Sequence, residues 1–298
     1  MELQDRKTVT VIGGANTDIC GRPAAAVLSA DSNPGRVSVR MGGVGRNIAH
    51  DLCLLGERVR FFTALGDDPF GRSLRQSCIE LGMDMFGSPL LPGQSSSVYL
   101  YITDETGEML LAVNDMGITD CLTPACFAPY REDICRSDAL VLDGNLPAET
   151  LRYLCENVPV PLYADPVSAA KAERLLPVLG RLTCLKPNLA EARRLTGEEE
   201  PERCVRSLLA RGVKRVILSM GSDGLLAGEG TSLVRQPCAP ADFVNCTGAG
   251  DAAMAAAVYA GLHGLGLADT ARLCALAGAA AVEREETNPP HLREKLGL

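Results

Sequence analysis

Short β-branched runs alternate with longer amphipathic stretches along most of this chain. Thr8-Val9-Thr10-Val11-Ile12 stops at Gly13-Gly14 and predicts a buried first strand. Residues 36–41 alternate polar and apolar, as a half-exposed strand does. Gly42-Gly43-Val44-Gly45-Arg46-Asn47 then opens a helix through Ile48, Ala49, Leu52 and Leu55, closed by Gly56. A strand over 59–65 leads to Gly66-Asp67-Asp68-Pro69-Phe70-Gly71 and a helix over 72–81 that ends at Gly82. Residues 97–102 and 109–113 flank Asp104-Glu105-Thr106-Gly107 and predict a β-hairpin, with Asn114 and Asp115 at its far end. From about residue 138 the rhythm is regular, with strands at 139–142, 162–164, 183–185 and 215–219. Helices are expected near 148–157, 168–178, 188–195, 201–211, 251–262 and 268–283. Such alternation implies a parallel sheet covered by helices on both faces. With no internal repeat and no linker, residues 1–298 read as one three-layer α/β domain. Segments 15–41 and 88–114 stand apart as a small β-sheet lid.

Composition narrows the chemistry. Hydrophobic residues at 46% and charged residues at 22% are an ordinary globular balance. The net charge of −8, with no basic block, argues against nucleic acid as a partner. No apolar run is long enough for a membrane span, and the polar start Met1–Lys7 does not read as a signal peptide. The 12 cysteines include no C-x-x-C pair, and Cys53 and Cys274 sit in apolar runs as small hydrophobes. With 3 scattered histidines, a transition-metal site is not expected, and the compartment reads as reducing cytoplasm.

The chain's chemistry centres on Asn245-Cys246-Thr247-Gly248-Ala249-Gly250-Asp251, a Gly-rich turn running straight into an alanine-rich helix. Small residues admit a ligand to bare backbone, and the free N–H groups at the helix start favour an anion. A carboxylate beside that anion site, rather than a lysine, suits a base that takes a proton from a hydroxyl. Together they point to phosphoryl transfer from a nucleotide to an alcohol; an ordinary first-turn Asp after a Gly turn is the plainer reading. The Gly42-Gly43-Val44-Gly45 turn raises a dinucleotide-binding oxidoreductase as another class. Ile48 stands where that fingerprint needs glycine, and no G-x-x-x-x-G-K-[ST] loop exists.

Gly42-Gly43-Val44-Gly45-Arg46-Asn47 and Asn245–Asp251 together resemble the paired signatures of the ribokinase-like sugar and nucleoside kinases. Asn16-x-Asp18, the Gly66–Gly71 turn, Lys186-Pro187-Asn188-Leu189-Ala190-Glu191 and Ser219-Met220-Gly221-Ser222-Asp223-Gly224 extend the resemblance over nearly the whole chain. Asp31–Gly35, Asn114-Asp115-Met116 and Asp165-Pro166-Val167-Ser168 with Lys171 are similar to its pseudouridine-phosphorylating branch. Cys246 and the segment Glu283–Asn288 depart from the family pattern.

The resemblance implies a ribokinase-like fold and transfer of phosphate from ATP to the 5′-hydroxyl of a ribonucleoside, pseudouridine foremost. Asp251 would be the catalytic base, and Gly248, Ala249 and Gly250 the anion hole. Asn16, Asp18, Gly42, Gly43 and Asn47 would hold the ribose hydroxyls; Arg46, Asn114 and Asp115 are candidates for the base of the nucleoside. Lys186, Asn188, Ser219, Gly221 and Gly224 would bind ATP. Glu191 would act on magnesium through water, and potassium is a possible further cofactor by the same resemblance. A homodimer through the lid is the expected assembly. Another nucleoside or a free sugar such as ribose is the alternative substrate, and a non-catalytic sensing relative is a further reading.

Overall fold

The structure, a computed structural model, describes residues 6–284 and 287–298. Part of the polar start Met1–Lys7, and Glu285 and Glu286 of the divergent C-terminal segment, lie outside the described residues. In chain order the strands are β1 (Thr8–Ile12), β2 (Asn16–Pro23), β3 (Gly35–Gly42), β4 (Arg58–Phe62), β5 (Leu65–Gly66), β6 (Leu90–Leu91) and β7 (Val98–Thr103). They continue with β8 (Met109–Asp115), β9 (Ala139–Asp143), β10 (Leu162–Asp165), β11 (Cys184–Leu185), β12 (Arg215–Ser219), β13 (Leu225–Glu229) and β14 (Ser232–Gln236). Three helices carry the site: α1 (Val44–Leu54), α2 (Leu189–Thr196) and α3 (Ala249–Leu262).

Eight strands form the large sheet in the order β14-β13-β12-β11-β10-β9-β1-β4, parallel from β12 through β4. Its central strands β9 and β10 are buried at every position, because helices cover both faces. Alternate side chains feed two separate cores. Val9, Val11 and Val141 pack with the alanines of α3, while Leu140, Leu142, Leu162 and Ala164 pack on the opposite face. Helix α3 is buried from Asp251 through Ala260. Its alanine-rich surface lets it lie closely between α1 and the helix Leu267–Val282. A large, mostly parallel sheet, a smaller separate sheet and surrounding helices match the three-layer α/β architecture expected from the sequence.

Three features differ from the sequence reading, the first being that Leu90–Leu91, inside the expected lid segment 88–114, pairs with Leu65–Gly66 in a separate two-stranded sheet. Residues 225–236 form an antiparallel hairpin that extends the large sheet, with Gly230 turning at φ 57°. The helix expected over 168–178 is one short α-turn, Ala169–Ala172, followed by a 3₁₀ stretch, Glu173–Arg181. Pro177 lies inside that stretch; it has no N–H to give and its ring crowds the preceding turn.

The smaller sheet has the order β3-β2-β7-β8. Its register aligns Arg40, Asp18, Tyr99 and Asn114 in one row, and Met41, Thr17, Val98 and Asp115 in the next. Successive rows face opposite sides of a sheet. The face that holds Ile19 also presents Val37, Val39, Leu100, Ile102, Leu111 and Val113, the last six exposed.

Candidate active site

The carboxyl ends of parallel strands gather the polar groups. Asp143 ends β9, Asp165 ends β10 beside it in register, and Lys186 follows β11. Asp143 is a brace: Oδ2 accepts from the backbone N–H groups of Gly14 (2.8 Å) and Gly45 (3.0 Å) and from Asn145 Nδ2 (3.0 Å). It thereby fixes the turn after β1 to the start of α1. Burial pushes its carboxyl up, against the pull of those hydrogen bonds. Lys171 Nζ reaches Asn145 Oδ1 at 2.6 Å. Asp165 and Lys186 form a buried ion pair at 3.1 Å. Burial alone would lower the Lys186 pKa, but Asp165, Glu191 and Asp251 outweigh it and raise it.

Above this edge sits the first turn of α3. Gly248 caps it in the left-handed region, φ 85°, and a β-carbon there would lie 2.3 Å from the carbonyl oxygen of Thr287. A β-carbon on Gly250 would lie 3.2 Å from Lys186 Nζ, so the ammonium stands next to the turn. The first N–H groups of the helix have no partner within it and carry its positive dipole end. Asp251, 9% exposed, accepts a 2.8 Å hydrogen bond from Asn47 Nδ2 at Oδ2. Burial, then the like charge of Asp165, raises its carboxyl to about 7, against the lowering effects of Asn47 and Lys186.

The smaller sheet delivers a second polar group to the same place. Asn16 Nδ2 donates to Asp18 Oδ1 at 2.6 Å, and Asp18 Oδ2 abuts Gly42. Burial raises the Asp18 carboxyl, while Arg46 and Arg40 act to lower it. Gly43, at φ 101°, caps α1 and lies against the backbone of Gly14 and Ala15, where a side chain would not fit. Arg46 Nη1 donates to Asn47 Oδ1 (3.1 Å) and to Asn288 Oδ1 (3.2 Å). Arg46 also lines a cavity of about 490 Å³ with Arg40, His50, Arg284, Thr287 and Asn288.

The structure separates two residues that the sequence reading grouped. Asn114 stands in the Asp18 row, whereas Asp115 stands in the adjacent row and faces the other side of the sheet. Only Asn114 therefore shares the Asp18 face.

The remaining expected residues form their own group. Asn188 and Glu191 make a reciprocal capping box at the start of α2. Glu191 Oε2 accepts from the Asn188 N–H and Oε1 from Asn188 Nδ2, both at 2.9 Å. Ser219 bridges to Asn188, and Gly221 and Gly224 follow in the turn between β12 and β13. Asp143, Asn145 and Asn288 were not among the site residues read from sequence. Asp143 had one signal, its place at the carboxyl end of a predicted strand; Asn145 and Asn288 had none.

Residues 6–294 match the family described as pfkB family carbohydrate kinase. The chain belongs to that family. Among curated proteins it is 36% identical to the pseudouridine kinase of Escherichia coli strain K12, over 97% of this chain and 95% of that protein. Among solved structures it is similar to a carbohydrate kinase from Agrobacterium tumefaciens, with TM-score 0.86 and 28% identity over 98% of this chain and 96% of the other. The ribokinase of Arabidopsis thaliana complexed with ribose and ATP aligns with TM-score 0.83 over 98% and 99% of the two chains. At 20% identity, that likeness speaks to the fold. In this pfkB-family chain the two signature turns meet at the hydrogen bond between Asn47 and Asp251, 204 residues apart.

Proposed function

We propose that this chain is an ATP- and magnesium-dependent kinase of the 5′-hydroxyl of a ribonucleoside, with pseudouridine as its substrate. The observation that carries the reading is a buried carboxylate, Asp251, with a pKa raised to about 7, in the first turn of a helix capped by a glycine turn. The similarity to the E. coli pseudouridine kinase supports the substrate. A free sugar such as ribose on the same fold is the second reading, favoured by the description of the matched family as carbohydrate kinases.

In this reading Asp18, Asn16 and Asn47 hold the ribose hydroxyls, with Gly42 and Gly43 leaving room for the sugar against backbone. Asn114 and Arg46 face the base of the nucleoside. Asp251 takes the proton of the 5′-hydroxyl as its oxygen attacks, and a base near neutrality matches that task. The N–H groups of Gly248, Ala249 and Gly250 and the Lys186 ammonium offset the charge that develops on the transferred group. When bound, ATP supplies that phosphoryl group and magnesium screens its charge. Ser219, Gly221 and Gly224 line the nucleotide groove.

The donor set fits magnesium that arrives with the nucleotide and keeps its water. Among the described residues no cluster of three His, Cys, Asp or Glu side chains could hold a metal alone. Both oxygens of Glu191 are already held by Asn188, which suits contact through water.

The smaller sheet acts as a lid over the sugar, and its exposed apolar face serves as a homodimer contact. The free cysteines suit a reducing cytoplasm; among the described residues no helix is long and apolar enough to cross a membrane. The test is a coupled ATPase assay with pseudouridine, uridine and ribose. Pseudouridine should give the highest kcat/KM. Preference for ribose would overturn the nucleoside reading, and no turnover of any of the three would overturn the kinase reading.

A further inference from the structure

Asn288 is a buried side chain, 7% exposed, on the C-terminal segment, and the chemistry above gives it no task. Its amide is fully engaged with α1. Nδ2 donates to the main-chain oxygen of Asn47 (3.0 Å) and to Asp51 Oδ1 (2.9 Å), and Oδ1 accepts from Arg46 Nη1 (3.2 Å). The same Arg46 Nη1 donates to Asn47 Oδ1 at 3.1 Å. Both oxygens of Asn47 are thus tied to Asn288, one directly and one through Arg46. An amide whose oxygen is fixed has its N–H₂ end fixed too, and here that end meets Asp251 Oδ2 at 2.8 Å. Without the tie, the Asn47 amide is free to rotate and turn its oxygen toward the carboxylate. The preceding residue, Thr287, packs its carbonyl against Gly248. One dipeptide therefore contacts both Asn47, which holds Asp251, and the turn beside that carboxylate.

We propose that Asn288 is a positioning residue for phosphoryl transfer: through Arg46 it sets the Asn47 amide so that Asp251 always receives an N–H. The proposal rests on the reading of Asp251 as the base. The charged groups facing Asp251 are Asp143, Asp165 and Lys186 from the strand ends and Asp51 from α1. None of them is bonded to Asn288 except Asp51, which is buried and whose carboxyl burial holds well above the usual range.

The test is Asn288→Ala, assayed with whichever of pseudouridine, uridine or ribose the wild type turns over. Turnover should fall roughly tenfold while the KM for that substrate changes by less than about threefold, the pattern of a lost transition-state contact. The acid limb of the pH–rate profile should move to higher pH, because the Asn47 bond that holds the Asp251 pKa down is no longer enforced. In an Asn47→Ala background, Asn288→Ala should add nothing to that displacement. An unmoved limb, or effects of the two substitutions that simply add, would overturn the proposal. Should Asn288→Ala not fold, Arg46→Met breaks the tie while leaving Asn288 in place, and it should displace the limb in the same direction; an unmoved limb there also counts against it. If the wild type turns over none of the three, the pH dependence of thermal stability replaces rate as the readout. Asn288→Ala and Asn47→Ala should then shift it alike; unlike shifts would overturn the coupling independently of the kinase reading.

Discussion

Replacing Asp251 by Asn should make the protein more stable and nearly inactive at once. The Asp251 carboxyl is raised from 3.8 to about 7 in the folded protein, chiefly by burial and then by Asp165. A group with a raised folded pKa contributes its stability below the unfolded value and loses it as pH rises toward the folded one. Above about pH 7 the ionised Asp251 therefore weighs against folding, by up to roughly 4 kcal/mol for a three-unit shift. Asparagine keeps the shape and can still accept from Asn47 Nδ2, but carries no charge to bury. Thermal unfolding followed at pH 8 should show Asp251→Asn melting higher than wild type, by roughly 2 °C per kcal/mol for a chain of this size. Near pH 4 the two should melt together. Turnover of the variant should drop by about 10²–10⁴-fold, the usual contribution of a general base. In the wild type, kcat/KM at one pH unit below the Asp251 pKa should be about a tenth of its plateau. Equal melting shifts at both pH values, or near-normal turnover, would refute the argument that burial has prepared this carboxylate as a base.

Asn114→Ala should narrow the preference for pseudouridine over uridine by about tenfold or more, because a hydrogen-bond partner for the base's extra ring N–H is lost, whereas Asp115→Ala on the opposite face should leave it alone; comparing kcat/KM for both nucleosides decides, and equal effects would contradict the register argument. Charging the apolar face of the smaller sheet with Val39→Asp and Leu111→Asp should convert a dimer to monomers by light scattering, with the fold intact by circular dichroism; a wild type that is monomeric at micromolar concentration would dispose of the dimer.

What could be read in the sequence was whatever is written locally. Asp251 and its glycines, and Asn47 after Gly42-Gly43, are contiguous signals whose turn geometry follows from residue type. The strands of the central sheet announce themselves as short apolar runs. Asp143 and Asp165 are different: they lie 22 residues apart and become neighbours only because β9 and β10 pair in parallel with Asp143 opposite Asp165. Asp115 misleads for the opposite reason, since adjacency in sequence places two strand residues on opposite faces. The hairpin at 225–236 offers no strong turn dipeptide, and the helix at 168–178 has the right apolar spacing but contains Pro177. Asn288 sits in a segment without any motif, and its three bonds exist only once α1 has packed beside it.

The charged groups gathered at the strand ends, some read from sequence and some not, share a physical character. Asp143, Asp165 and Asp251 are three buried carboxylates with one buried ammonium, Lys186, among them. A fold selected for stability alone would not gather them, because each charge removed from water is repaid only by a well-placed partner. Asp143 is repaid by the N–H groups of Gly14 and Gly45, and Asp165 by Lys186. Asp251 has one neutral amide, from Asn47, and no ion-pair partner of its own among the described residues. The imbalance falls on the one carboxylate that reaches a glycine-capped helix start. In the proposed reaction that is where a proton is exchanged with a hydroxyl near neutral pH, and the proposed network that places Asn47 would decide how readily.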